Sequence, residues 1–395
     1  MDPQLTEEHQ QIKDLVRRFV ADELLPLEND ILRRAAVGEG IHLTETEKAK
    51  VDARAKALGL WALDAPAEVG GFDLPAEAMV GVDEEMAKTI AHYSLPPDSP
   101  NLHMLAAVAT PEQKMRYLRP YANGEMTSAM AISEPGAGAD PRRMTTRATW
   151  DGRNWVLNGR KIWISKAATS DFTIVMAVAN RDGAGGITAF IVDRGTPGFN
   201  ILRRIPMIGG VFTYEIAFED CRLPPEAVLG GEGQGFAPMQ KRLSVRRLQM
   251  GSWCVGMAQR ALDILVAHAS QRSTFGSLLS QRQAIQWWAA DAATKIHATR
   301  LMVYDAARKV DQGREVRSEL SMIKVYASEM ATEVIDKAMQ TLGAMGMTKE
   351  IPLYLMAEKV RWIRVGEGPS EVHRWVIARS IFGNVASSAV RQAAE

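Results

Sequence analysis

The chemistry of this chain is most concentrated in Arg364 to Arg374, RVGEGPSEVHR. Glu367 stands between Gly366 and Gly368, and Pro369 stiffens the loop just beyond. Neighbours without a Cβ let the backbone take unusual dihedrals and approach a ligand closely, leaving one carboxylate projecting as a base would. The same residue types also make an ordinary polar turn between two helices. Three other places carry usable groups. In ISEPGAGAD, Ser133 offers a hydroxyl, and the Gly136 to Gly138 segment lets a ligand reach the backbone. In KIWIS, Trp163 is a broad apolar plate with Ser165 two residues on, a spacing that puts both on one side of a strand. In QRSTFG, Arg272 and Thr274 suit a pyrophosphate, because a guanidinium fork matches phosphate oxygens. Their structural alternatives are a strand ending in a turn, a core tryptophan and an exposed arginine at a helix end.

Three stretches of different periodicity must position these groups. Residues 1–125 read as helical, with Thr6 as N-cap of a helix over Leu5 to Leu25 that Pro26 ends. A second helix starts near Thr44, another near Pro75, and Thr110, Pro111 and Gln113 form a capping box with proline at the first position. Residues 126–235 change to period 2. Asp151-Gly152 and Asn158-Gly159 are hairpin-turn dipeptides, and FTIVMAVA, ITAFIVD and YEIAFEDCRL continue as short strands. Residues 236–395 return to helical spacing, with long helices over Leu243 to Ser270, Leu279 to Gly313 and Val316 to Leu342, lengths that pack as a bundle. Apolar residues such as Trp287, Trp288, Ile296, Leu301, Met302 and Tyr304 exceed one seam, so a second face enters either a subunit interface or a large monomeric core.

The composition narrows the field. The chain has 395 residues, enough for two or three domains, and its 47 basic and 47 acidic side chains cancel. That balance removes the electrostatic case for a nucleic-acid or membrane-surface binder. Cys221 and Cys254 are the two cysteines, far apart, so neither a disulfide framework nor a thiolate metal site is expected, and a reducing compartment fits. The opening MDPQLTEEHQQ is polar and acidic, unlike a signal or transit peptide, and apolar runs are strand-sized. A soluble, cytoplasmic protein is expected.

Seven strings in order carry a family resemblance: PAEVGGFD from Pro66, AMAISEPGAGAD from Ala129, NGRKIWIS from Asn158, FEDCRLPPEAVLGGEGQGF from Phe218, QRSTFGSLLSQRQ from Gln271, LGAMGMTKE from Leu342 and GEGPSEVHR from Gly366. Together they closely resemble the acyl-CoA dehydrogenase family over essentially the whole chain. The resemblance implies a mostly α fold with a central β domain: an N-terminal helical domain, a middle β-barrel-like domain and a C-terminal four-helix bundle. It implies FAD as cofactor, an acyl-CoA substrate, an electron-transferring flavoprotein as acceptor, a role in fatty-acid β-oxidation and a homo-oligomer, tetramer ahead of dimer. By resemblance Met130, Ile132 and Ser133 line the flavin ring, and Trp163 and Ser165 cover its face away from the substrate. Arg272, with Thr274 and Phe275, reaches the pyrophosphate of a flavin held mainly by the neighbouring subunit. Gln283 lies near the adenosine half, the segment holding Gln340, Gly343 and Ala344 near the diphosphate, and Pro369 and Glu371 also on the cofactor. Glu367 aligns with the catalytic base, with Gly366, Gly368, Ala139 and Arg247 on the substrate side; for Arg247 a structural ion pair is equally open.

Four departures from the family pattern matter. Members that place the base on the first long C-terminal helix have it where this chain has Arg246, which cannot act as a base at ordinary pH. Ala344 and Met345 replace a glycine and a small or polar residue. Ala139 stands where a serine is common. Gly366 stands where many members have a tyrosine, so a roomier cavity is expected if no other side chain fills it. EGPSEVHR is closer to the branch with GPDEVH than to straight-chain enzymes with EGTSEIQ. A bulky, branched or functionalised acyl chain is therefore expected. The alternatives are a flavin oxidase or monooxygenase on the same fold, or a catalytically silent scaffold.

Overall fold

A computed structural model describes residues 5–181 and 185–392, with side chains to 383. The opening MDPQ and residues 393–395 of the two end domains lie outside the described residues. Thr6 caps α1 (Glu7–Phe19) by accepting from the His9 amide. Pro26 does not end the helical path. The α-helix stops earlier, at Phe19, and continues through a π turn (Val20–Leu24) and a 3-10 turn (Leu25–Leu27) into α2 (Glu28–Ala36). Pro26 is tolerated because it sits in the first turn of a new segment, where its missing N–H has no partner to lose. The capping box of Thr44 with Glu47 starts α3 (Glu45–Ala57). Next come α4 (Ala76–Met86) and α5 (Ser99–Val108). A broken helix of α6 (Pro111–Gln113), a π turn and α7 (Arg119–Ala122) follows, opened by the Thr110–Gln113 capping box.

The middle of the chain is one eight-stranded sheet of β1 (Ser128–Ala131), β2 (Arg147–Trp150), β3 (Trp155–Ile164), β4 (Phe172–Asn180), β5 (Gly186–Asp193), β6 (Phe199–Pro206), β7 (Phe212–Leu223) and β8 (Val228–Leu229). Strands follow the order β6-β7-β3-β2-β4-β5-β8, with β1 parallel to β4. β4 is buried on both faces: Phe172, Ile174 and Met176 enter one core while Val175, Ala177 and Ala179 enter another. Asp151-Gly152 turns the β2–β3 hairpin as expected. Asn158-Gly159 does not turn the chain. It lies inside β3 at a register shift against β7, with Gly159 at φ +148°. A Cβ there would stand 2.5 Å from Thr146 Oγ1, so the glycine serves a bulge and a close approach.

The C-terminal bundle consists of α8 (Phe236–Ala269), α9 (Gln283–Asp311), α10 (Arg317–Leu342), α11 (Leu353–Ile363) and α12 (Ser370–Gln392), with a small hairpin of β9 (Ser273–Thr274) and β10 (Ser277–Leu278) between α8 and α9. α8 starts seven residues before the expected Leu243, which brings Met239 and Arg242 onto the helix. One hydrophobic core runs through both helical parts, with Val16, Phe19 and Val80 packed in the same cluster as Met250, Tyr304 and Ile323. A second core joins α5 and the broken helix to one face of the sheet and to Met239 and Leu243. On α9, Ile296 and Tyr304 are buried, whereas Trp287 is 60 % exposed.

Candidate active site

Glu367 occupies the loop between α11 and α12 in the left-handed region, at φ +57°, with Gly368 beside it at φ +101°. A strained glutamate persists only where its surroundings hold it. Lys324, buried on α10, donates to the carbonyls of Ile363 and Gly368, at the two ends of the loop. Arg247 Nε donates to the Glu367 carbonyl oxygen at 3.2 Å. His373 Nε2 lies 3.4 Å from that same oxygen, and its Nδ1 lies 3.1 Å from Ser321 Oγ. Burial, with help from Arg247 and Lys324, lowers the His373 pKa to about 3, so the ring is neutral at ordinary pH.

The Glu367 carboxylate is 18 % exposed and accepts from Arg242 Nη1 at 2.8 Å through Oε1. Burial alone would raise its pKa. Arg242, Arg246 and Arg247 outweigh that and hold it below the usual carboxylate value, so the group is ionised at neutral pH. Arg242 is itself only 8 % exposed, with Nε donating to Asn101 Oδ1 at 3.1 Å; Asn101 in turn donates to Ser128 Oγ at 2.8 Å. Arg246, one turn along, pairs with Asp98 and Gln249. Arg242 was not among the expected site residues. The trace of it in the sequence is KRLSVRR, which puts Arg242 and Arg246 four apart and so on one face of α8.

A continuous cavity of about 3360 Å³ joins Glu367, Arg242 and Arg247 to Ala139, Ser133 and Trp163. It is several times the roughly 300–1,000 Å³ of an ordinary small-molecule pocket, and so has room for a large ligand or for two together. Gly366 lines it, but the space beside Gly366 is not vacant. A Cβ at that position would stand 3.2 Å from the Trp362 ring, one turn back on α11. Trp362 thus supplies an aromatic wall where a side chain at 366 would otherwise have been.

Met130, Ile132, Ser133, Trp163, Ser165, Pro369 and Glu371 also line this cavity. The reading that Trp163 and Ser165 share a strand face by simple alternation is corrected. Trp163 has φ +64° at a bulge between Lys161 and Ile164, and Ser165 follows the end of β3. The bulge leaves the indole 51 % exposed, and it lines the cavity. Beneath this segment Lys161 Nζ donates to the Ile132 carbonyl at 3.0 Å and to Glu134 Oε1 at 2.9 Å, both side chains being buried. Glu134 also accepts from the Thr145 and Thr146 amides. An exposed indole, two apolar side chains and two hydroxyls match a flat aromatic ring with a polar rim, so these residues fit a flavin.

The remaining expected residues lie elsewhere. Arg272, Thr274 and Phe275 belong to the β9–β10 hairpin, and Gln283 opens α9. Gln340 lies in the last turn of α10, and Gly343 and Ala344 open the following 3-10 turn. None of the seven lines the cavity, and Phe275 is 100 % exposed.

Three family models match: the acyl-CoA dehydrogenase N-terminal domain over residues 6–125, the middle domain over 129–221 and the C-terminal domain over 233–382. The chain is 39 % identical to (R)-benzylsuccinyl-CoA dehydrogenase of Thauera aromatica, over 96 % of this chain and 97 % of that one. The solved structure of butyryl-CoA dehydrogenase from Megasphaera elsdenii superposes with a TM-score of 0.87 at 29 % identity, covering 97 % of this chain and 100 % of that one. A chain from a structure of the electron transferring flavoprotein of Acidaminococcus fermentans superposes at 0.84 with 32 % identity, covering 96 % and 99 %.

Proposed function

Because this chain belongs to the acyl-CoA dehydrogenase family, a family of FAD-dependent oxidoreductases, we propose that it converts an acyl-CoA thioester to the trans-2-enoyl-CoA. Glu367 takes the proton from the carbon next to the thioester carbonyl, and the hydride leaves the next carbon. Bound FAD supplies the acceptor for that hydride. The reading is carried by one observation: an ionised, conformationally strained carboxylate lies in the same cavity as the Trp163 and Ser133 cradle.

The chain's own residues divide the work. Lys324, Arg247 and His373 position the loop through its carbonyls, while Trp163, Met130, Ile132, Ser133 and Ser165 hold the flavin ring, with Pro369 and Glu371 nearby. Arg272, Thr274, Phe275, Gln283, Gln340, Gly343 and Ala344 serve the distal half of a flavin bound by a neighbouring subunit, as their place outside the cavity accords with. The domains divide at 1–125, 126–235 and 236–395. Electrons pass on to an electron-transferring flavoprotein, and the acyl group is bulky, branched or functionalised. Its support is the benzylsuccinyl-CoA relative; Gly366 adds none, because Trp362 fills the space beside it.

Glu367→Gln tests the assignment, since the amide is isosteric but does not accept the proton. The variant should keep its yellow FAD and bind acyl-CoA, while anaerobic bleaching of the flavin slows by at least ~10²-fold. Bleaching at the wild-type rate places the base on another residue. Prompt hydrogen peroxide formation by the wild type in air, in place of slow reoxidation, would instead favour the oxidase.

A further inference from the structure

The base is not free in this structure. Its carboxylate is paired with Arg242, and a carboxylate so paired is a poorer proton acceptor than one released from its partner. The corner also holds more positive than negative charge. Arg242, Arg246, Arg247 and Lys324 stand against Glu367, Asp98 and Asp83, with Arg246 already paired to Asp98 and burial raising the Asp83 pKa to about 7. Arg242 uses Nε on Asn101 and Nη1 on Glu367, and its Nη2 donates to no described residue. Yet the side chain is almost fully buried and lines the cavity. The donor left over on Arg242 therefore faces cavity space that a ligand can enter, and the planar guanidinium fork suits a carboxylate there.

We propose that the acyl group carries a free carboxylate, and that Arg242 binds it. Resting on the dehydrogenase reading, this deepens the substrate class from functionalised to carboxylated. Because Arg242 is bonded to the base, the substrate's carboxylate must lie within a few bonds of the carbon that loses its proton. On binding, that carboxylate takes Arg242 donors and loosens Glu367 from its partner. Only a chain with the anion at that spacing then finds the base released, which couples recognition to chemistry. Arg242 is a catalytic residue in that it touches substrate and base together.

Matched pairs test this: glutaryl-CoA against 4-carbamoylbutanoyl-CoA, and 2-methylsuccinyl-CoA against its carboxamide, each pair alike in size. With the wild-type holoenzyme under anaerobic conditions, the carboxylate of at least one pair should exceed its amide in kcat/KM by ~10-fold or more, the order of one charge-assisted hydrogen bond. Arg242→Gln should shrink that ratio to within about twofold, while Arg242→Lys keeps part of it, lacking the fork. Calorimetric binding to Glu367→Gln holoenzyme gives a readout without turnover; the carboxylates should bind tighter than to wild type, because the neutral amide introduced there no longer competes for the guanidinium as a charge. Amides equal to carboxylates in both pairs, or a preference that survives in Arg242→Gln, overturns the proposal. If instead no thioester of any kind bleaches the flavin, the dehydrogenase reading itself fails, and unequal binding within the pairs still upholds the carboxylate site.

Discussion

Glu367 shows how one side chain is set by several neighbours at once. Burial pushes its carboxyl up, and three arginines push it down further than burial raises it. The sign follows from linkage. A carboxyl whose folded pKa is depressed adds stability above its unfolded pKa, and loses it as pH falls through the folded value. The acid limb of kcat/KM, which reports the free enzyme, should therefore lie below the ordinary glutamate range. In Arg242→Gln, with the strongest of the three partners gone, that limb should move upward; a pH profile with an unmoved limb would show that Arg242 does not set the ionisation. Glu367 was legible in the sequence as a candidate, because two glycines and a proline leave its carboxylate projecting; the same residues also suit a polar turn, and the resemblance to the family singled it out as the proposed base. Arg242 was not legible. Which of several basic residues on a helix meets the acid depends on where α8 begins and how it faces a loop 125 residues away, and spacing within the helix does not contain that.

At the level of elements, two devices hold the site, and neither was visible locally. The α11–α12 loop is tied at both ends by the Lys324 ammonium. Lys324→Met leaves two carbonyls without that donor, at a cost of about 1–3 kcal/mol, and should lower kcat while FAD content stays near one per chain. A melting curve with flavin absorbance separates the two effects. The Lys161–Glu134 pair underpins the Ile132–Ser133 segment. Its partner lysine and the threonine bonds bring the Glu134 pKa, otherwise raised by burial, down to about 2. That contribution is present above the ordinary glutamate pKa and is lost as pH falls toward 2. Glu134→Gln strands a buried lysine, so denaturant unfolding should show about 3–5 kcal/mol less stability at neutral pH and a flatter acid dependence. Element starts were legible where caps act within four residues, as at Thr6, Thr44 and Thr110. Pro26 and Asn158-Gly159 misled because pairing with distant segments decides whether a breaker ends an element or merely bends it.

For the whole molecule, the succession of helical, strand and helical parts was readable from periodicity alone. The cavity was not, because its walls come from α4, α5, the sheet, α8 and the α11–α12 loop together. The seven expected cofactor residues that lie outside it make an oligomer a condition of tight FAD binding under the proposed function. Arg272→Ala should purify with less flavin, and refolding it together with Glu367→Gln should restore part of the activity, since mixed assemblies pair an intact base with an intact flavin clamp. No restoration above either variant alone would place the whole flavin within one chain.

The core shared by the first and last helices has a consequence for how the chain is made. Val16, Phe19 and Val80 bury against residues from Met250 onward, so α1 and α4 lack much of their core until the C-terminal helices have left the ribosome, whereas α5 and the broken helix find the sheet earlier. Local hairpins of the sheet close over short loops and can settle meanwhile. A nascent chain halted near residue 235 should therefore carry a protease-resistant centre and sticky, unmatched helices that holdase chaperones retain, and release should follow only when α8 and α10 emerge.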